Sequence, residues 1–223
     1  MENPMRIVSL LPSATEMICA LGLGPQLLGI THCCDYPPEI HANLRELGGA
    51  TGREKEAEAL IQKGSARLLA VTERIQRAQR RPRIFCAEWV DPLYCSGHWV
   101  PEMVEIAGGV DVLGRKWADS VRVTWDSLVD AAPELIAVMS CGFDRASTAQ
   151  HAQWLLRQPG ADGIPAVRHN RVYAVDAGYF SRPGPRVIDG TELLAHLIHP
   201  DLSAWQGPLD AFQRIDCDSR SGV

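Results

Sequence analysis

The sequence is poor in what nucleic-acid and membrane proteins need. Its 22 Lys and Arg are outnumbered by 27 Asp and Glu, giving a formal net charge of -5, whereas binding to a phosphate backbone requires a clustered positive surface. The basic residues that do gather, Arg77, Arg80, Arg81 and Arg83, are interleaved with apolar positions as on a solvated helix end. No nucleic-acid partner is expected. No apolar run approaches the ~18–20 residues of a membrane helix, so no transmembrane segment is expected either. The seven cysteines are odd in number, irregularly spaced and without a Cys-x-x-Cys unit, which excludes both a disulfide framework and a zinc ribbon. Gly22-Leu23-Gly24 lacks a third glycine, and neither Gly-Lys-Ser/Thr nor Gly-x-Ser-x-Gly occurs, which argues against nucleotide chemistry and a nucleophile elbow. Ahead of Ile7 there is no basic n-region, apolar h-region or small-residue cleavage site, so a cytoplasmic protein with reduced thiols is expected.

What is present is an apolar majority, 46% hydrophobic against 22% charged over 223 residues, enough for one large domain or two small ones. Residues 7–11 form a short β-branched run ending at Pro12. Ser13 and Glu16 then stand at capping-box spacing. Met17, Ile18, Ala20 and Leu21 give the following helix its apolar side, Gly22 and Gly24 end it, and residues 27–31 read as a second buried strand. Strand, helix and strand at this spacing predict a parallel βαβ unit.

Residues 32–39 read as a loop by their two prolines. From 51 to 81 the chain turns to Glu, Lys, Arg, Ala, Leu and Gln, with Leu60, Ile61, Leu68, Val71 and Ile75 near helical spacing. One long amphipathic helix is expected there, of a length to join two lobes. Gly64 would weaken it by ~1 kcal/mol relative to alanine. A second alternating block follows: strands at 83–89, 135–139 and 171–175, helices at 100–107, 125–131, 147–156 and 187–199, and a turn-rich stretch at 91–98. The residues past Pro200 read as a poorly ordered polar tail. The class is therefore α/β.

Two clusters carry metal-capable or nucleophilic side chains. His32, Cys33 and Cys34 are adjacent, a poor arrangement for one ion, and nothing at suitable spacing completes a tetrahedral set. No metal is expected. Cys95 and His98, with Asp91, are turn residues around a buried thiol on one reading and a Cys/His nucleophile pair on another, which keeps a small-molecule enzyme as a rival function. The aromatics speak more clearly. Tyr36, Trp89, Tyr94, Trp99, Tyr179 and Phe180 all lie in or beside loops after expected strands. Ligands of open α/β sheets bind at that edge.

Several of these stretches together resemble a known family. Residues 6–16 (RIVSLLPSATE), 35–39 (DYPPE), 97–103 (GHWVPEM) and 179–186 (YFSRPGPR) are similar to the cobalamin-type branch of the ABC-transporter substrate-binding proteins. The resemblance implies a two-lobed, class III periplasmic-binding-protein-like fold with the lobes joined by a long helix. Residues 1–50 would be a truncated N-terminal lobe, 51–82 the linker helix, 83–201 the C-terminal α/β lobe and 202–223 a polar tail. The N-terminal lobe is reduced because strands and helices that the family places after Asp-Tyr-Pro-Pro are missing here.

The implied function is to bind cobalamin or another corrinoid as cargo, with no catalytic residue and no catalytic cofactor, and to deliver it to an ABC permease. Tyr36 would line the cleft from the first lobe. Tyr94, Trp89 and the loop with Tyr179, Phe180 and Arg182 would form the other wall, and His32 or His98 would be the candidate axial ligand. Asp126 would take the place of the family's second-lobe docking carboxylate. Family members are usually periplasmic or at the cell surface. A siderophore or haem binder of the same fold is the alternative.

Overall fold

The computed structural model describes residues 7–9, 12–30 and 40–217. Strand β1 (Ile7–Ser9), helix α1 (Pro12–Ala20) and strand β2 (Leu27–Ile30) make the expected crossover, with β1 and β2 parallel. Pro12 suits a first helical position because its missing N–H would be unpaired there anyway. The helix closes on Gly22 at φ 77°, where the Leu23 N–H donates to the Ile18 carbonyl at 3.0 Å, a bond that satisfies an orphan end group. The capping box does not form. Since α1 already begins at Pro12, Ser13 is inside its first turn, and the Glu16 carboxylate faces Arg186 instead.

The single helix expected over 51–81 forms as one helix over Glu54–Ile75, with residues 76–81 outside it. A helix that the sequence reading did not anticipate, α2 (Ile40–Thr51), runs through Gly48 and Gly49, and α3 (Glu54–Ile75) follows after a turn at Gly52, φ 65°. Gly48 sets how closely the two pack: a Cβ there would lie 2.7 Å from the Ala57 Cβ and 3.1 Å from the Arg53 carbonyl. Glu54 and Glu56 occupy the first turn of α3, where the positive end of the helix dipole favours them. Along its length α3 serves two cores. Ala57 and Ile61 pack with Met17, Ile18, Leu21 and Leu44 of the small lobe, whereas Val71 and Ile75 belong to the core of the large one.

That larger core surrounds a mixed sheet. In chain order come β3 (Arg83–Val90), β4 (Leu93–Cys95), α4 (Val100–Ile106), β5 (Val110–Asp111), α5 (Trp125–Ala131), β6 (Leu135–Val138), α6 (Arg145–Leu156), α7 (Pro165–Arg168), β7 (Val172–Val175), α8 (Arg186–Ile198) and β8 (Phe212–Arg214). The sheet order is β4-β3-β6-β7-β8, with β5 also on β3. The strands β5, β3, β6 and β7 run parallel, and β4 and β8 are antiparallel edges.

Period-two alternation divides the side chains: Ile84 and Cys86 enter the layer under α4 and α8, Phe85 and Ala87 the layer under α5 and α6. All four residues of β6 are buried, as a strand covered by helices on both faces requires.

Two further expectations change. The turn-rich 91–98 stretch contains β4 and so forms a hairpin with β3, turned at a cis Asp91-Pro92 bond. Residues 201–217 are no loose tail: β8 pairs with β7, Ala211, Ile215 and Cys217 are buried, and Phe212 meets Tyr173 and His196 at the sheet edge.

Candidate ligand site at the carboxyl edges of the strands

Ala87, Val138 and Ala174 are level across β3, β6 and β7, and β3 runs on past them for three residues. A bulge between Ala87 and Trp89 re-aims this extension, a known use of bulges beside sites. The Trp89 ring lies 5.5 Å from Phe143 and 5.4 Å from His151, and Phe143 and His151 are 5.0 Å apart. The indole N–H donates to the Asp91 carbonyl at 2.8 Å, and His151 Nδ1 is 2.7 Å from the buried Ser140 hydroxyl. Both contacts fix ring orientation. Phe143 is 38% exposed, so the cluster presents aromatic surface at the strand ends. Sequence reading named Trp89 but missed Phe143 and His151. The rule that found Trp89, an aromatic just past a strand, applies equally to Phe143 after β6.

Tyr94 is the cross-strand partner of Trp89, is half-buried, and bridges to Arg122 through the backbone. Behind the hairpin, Glu88 accepts from the Gly97 N–H at 3.2 Å and from the Ser120 hydroxyl. Asp111 accepts from the Ser96 hydroxyl at 2.5 Å and from the Gly114 N–H at 2.7 Å. Burial pushes the Asp111 carboxyl above its ordinary range, against the pull of these bonds. Gly97 permits the close approach, since a Cβ there would meet the Ser120 nitrogen at 2.3 Å. His98 is held at φ 55° with its ring 5.6 Å from Trp99 and its Nδ1 3.9 Å from Asp119.

The Cys95 and His98 side chains form no nucleophile pair. Cys95 is fully buried, its thiol donates to the Val121 carbonyl, and burial pushes its pKa up, while the His98 ring lies against Trp99 and Asp119. Nor do Tyr179 and Phe180 line a wall. They are 7% and 1% exposed in the core of the large lobe, with Tyr179 packed edge-on against Trp205 at 6.0 Å. Two apolar rings at the foot of α8 are worth more buried than exposed.

Arg182 is exposed and lies near enough to Glu16 to act on its charge. Asp126 is exposed in the first turn of α5, beside a Thr124 cap. Tyr36, with His32, Cys33 and Cys34, lies outside the described residues. Among those described, no group of three His, Cys, Asp or Glu could hold a metal, and no helix is long and apolar enough to cross a membrane.

Where the two lobes meet, the sequence reading missed a second feature. Glu16, in the helix after β1, faces the segment after β7: Oε1 is 3.8 Å from Arg186 Nη1, and a Cβ on Gly184 would come within 2.5 Å of Oε2. Arg186 in turn lies over the Tyr179 ring at 4.5 Å. Burial pushes the Glu16 carboxyl up, and the Arg186 and Arg182 charges oppose it. The carboxyl ends of β1 and β7 therefore converge on one place.

Comparison with known proteins agrees with this architecture. Residues 38–179 match the family model described as periplasmic binding protein. An uncharacterized ABC transporter substrate-binding lipoprotein, YvrC of Bacillus subtilis, is 24% identical over 267 aligned positions, covering 90% of this chain and 82% of its own. The vitamin B12-binding protein of Vibrio cholerae is 24% identical, covering 84% and 86%. Among solved structures, the periplasmic haem-binding protein RhuT of Roseiflexus superposes with a TM-score of 0.75 at 19% identity, covering 90% of this chain and 100% of its own. The periplasmic vitamin B12-binding protein BtuF of Vibrio cholerae gives 0.69 at 19% identity, covering 86% and 96%. These two show a shared fold. The cytoplasmic placement expected from the opening residues finds no support in these relatives, which are named as lipoprotein or periplasmic.

Proposed function

Since this chain belongs to the periplasmic binding protein family of ABC substrate-binding proteins, we propose that it binds a corrinoid between its lobes and hands it to an ABC permease. The observation that carries this reading is the Trp89, Phe143 and His151 cluster at the carboxyl ends of β3 and β6, partly exposed and locked in orientation. Flat aromatic faces suit a large, mostly apolar ring. Relatives whose names include vitamin B12 support a corrin. Those named for haem support the same shape of ligand with different chemistry, and a haem binder is the second reading. Tyr36 and Tyr94 complete the ligand contacts in this proposal, with His98 beside them and Arg182 at the rim, while Asp126 steers docking on the permease. The protein acts as a carrier and turns nothing over.

The first lobe is shortened in this proposal. Two strands are few for an independent sheet, and the Bacillus alignment is longer than this whole chain, so the relative contains stretches with no counterpart here. α2 and α3 make up part of the loss by covering α1.

Calorimetric titration with cyanocobalamin, and with haemin for comparison, tests the function. Saturable cyanocobalamin binding in the micromolar range or tighter, about -8 kcal/mol, is the expected result. Haemin binding alone favours the second reading, and no binding of either by a cooperatively folded protein overturns both.

A further inference from the structure

Trp117 combines an unfavourable backbone with an exposed side chain. It is held at φ 60°, facing His98 at φ 55°, and the left-handed region is costly for any residue with a Cβ and rare for a bulky one. The two are locked together: the His98 N–H donates to the Ala118 carbonyl at 2.7 Å, and the Trp117 N–H to the His98 carbonyl at 2.9 Å. Residues 112–120 are also fastened from behind. Asp111 holds Ser96 and Gly114, Glu88 holds Gly97 and Ser120, and the Arg115 N–H donates to the Ser96 carbonyl at 3.2 Å. What this rigid loop presents is an indole that is 65% exposed, against 38% for Phe143. Lys116 beside it is paired with Glu105. A mere turn would be better served by glycine, which has no penalty at this φ and no apolar surface to expose. Strain that persists in spite of this gathers at ligand clamps.

The contacts of His98 say where the loop stands. Its ring lies 5.6 Å from Trp99, whose indole N–H donates at 2.8 Å to the Phe180 carbonyl. Phe180 is in the segment that leaves β7 and that meets the small lobe at Gly184. Tyr94, at the start of the stretch that ends in His98, is level with Trp89 in the β3–β4 hairpin. Through His98, Trp117 is therefore tied both to the lobe junction and to the hairpin that carries the aromatic cluster. We propose that Trp117 is a ligand-contact residue at the mouth of the cleft, an aromatic face that the ligand covers with a flat ring or its apolar substituents. This rests on the reading of the cleft as a macrocycle site and adds a contact outside the Trp89 cluster. Because the loop is already fixed, stacking on the indole orders little else, so the area covered is converted into affinity with small entropic loss. Tryptophan is enriched among such anchors.

Trp117→Gly separates a binding role from a structural one. It removes the indole and relieves the backbone at once. The variant is expected to melt at the wild-type temperature or about 2–4 °C above it, while binding about tenfold more weakly in calorimetry. The probe is cyanocobalamin, or haemin if that is the ligand the wild-type protein takes. Trp117→Phe keeps an aromatic face at the same φ and should stay within about threefold of wild type. A purely structural tryptophan would give the reverse in Trp117→Gly, a lower melting temperature with the affinity of the folded protein unchanged. Unchanged affinity in Trp117→Gly overturns the assignment and leaves the macrocycle reading standing. If wild-type protein binds neither cyanocobalamin nor haemin, that reading fails and the assignment with it.

Discussion

Arg67 and Glu192 meet across the two long helices as a fork: Nε lies 3.0 Å from Oε1 and Nη2 2.6 Å from Oε2. Nη2 also reaches Asp189 at 2.5 Å. These side chains are 34%, 26% and 35% exposed, so solvent screens the charges and the planar, bidentate geometry matters more than the Coulomb energy. Because α3 contributes to both cores, the fork fixes the connecting helix on α8. Arg67→Met is expected to lower the stability of the large lobe by about 1–2 kcal/mol in urea unfolding. Arg67→Lys should recover only part of it, since an ammonium cannot bridge both carboxylates in the plane.

The two glycines of the helical hairpin and connector should respond in opposite ways to alanine. At Gly48 the new methyl would meet the Ala57 Cβ at 2.7 Å and the Arg53 carbonyl at 3.1 Å. Neither can move without separating α2 from α3, and overpacking of this kind costs about 1–3 kcal/mol. At Gly64 the obstacle is only the Cδ1 end of Ile188, 2.4 Å away, and a rotamer change removes it. There the helical gain from alanine, up to about 1 kcal/mol, offsets the repacking. Thermal melts of the two variants should show a clear drop for Gly48→Ala and little change or a rise for Gly64→Ala.

How much of this was legible in the sequence depended on whether local pattern or distant contact decided the outcome. The strands β3, β6 and β7 were readable because apolar runs bounded by turns have few other solutions, and α8 because its apolar face repeats every three to four residues. Composition and period made α3 readable within residues 51–81, but α2 was hidden: residues 40–51 carry Gly48 and Gly49, and only the approach of Gly48 to Ala57 shows that the chain doubles back. β8 was missed for the reverse reason: Phe212, Gln213 and Arg214 stand in a polar stretch and acquire strand structure from the edge of β7. At the site, placing aromatics after strands found Trp89, but it promoted Tyr179 and Phe180, which the same loop carries inward. Glu16 was assigned to a local capping role because spacing cannot reveal an arginine 170 positions away.

Asp111 gives stability a pH dependence of definite sign. In the folded chain its carboxyl is raised above the ordinary 3.8, first by burial, with Glu88 adding to the effect and Ser96, Gly114 and Leu113 opposing it. The folded state therefore holds this proton more tightly than the unfolded one. The contribution of Asp111 is most favourable below the unfolded value and is lost as pH rises through the folded one. Asp111→Asn keeps an acceptor for the Gly114 N–H and has no proton to lose. In urea unfolding the variant should gain on the wild type between pH 4.5 and pH 7.5. A stability difference that stays constant over that interval would show that the buried charge costs nothing.

Trp89 and Phe180 are both aromatic residues beside strand ends, and the folded chain separates their roles. Phe180 is 1% exposed among Met103, Leu193 and Val187 of the core. Its truncation to alanine removes a fully buried ring and should cost about 3–5 kcal/mol of stability. Any loss of ligand binding would follow unfolding and recover on cooling or with a stabilising osmolyte. Trp89 is half-buried and packs on Phe143 and His151 at the edge. Trp89→Ala should leave a cooperatively folded protein while weakening cyanocobalamin by about tenfold or more, since one aromatic anchor commonly supplies over 1 kcal/mol of binding. Calorimetry and thermal unfolding on the same two samples make the comparison. Equal affinity in Trp89→Ala and wild type would remove the aromatic cluster from the site and leave the exposed face of Trp117 as the place to look for ligand contact.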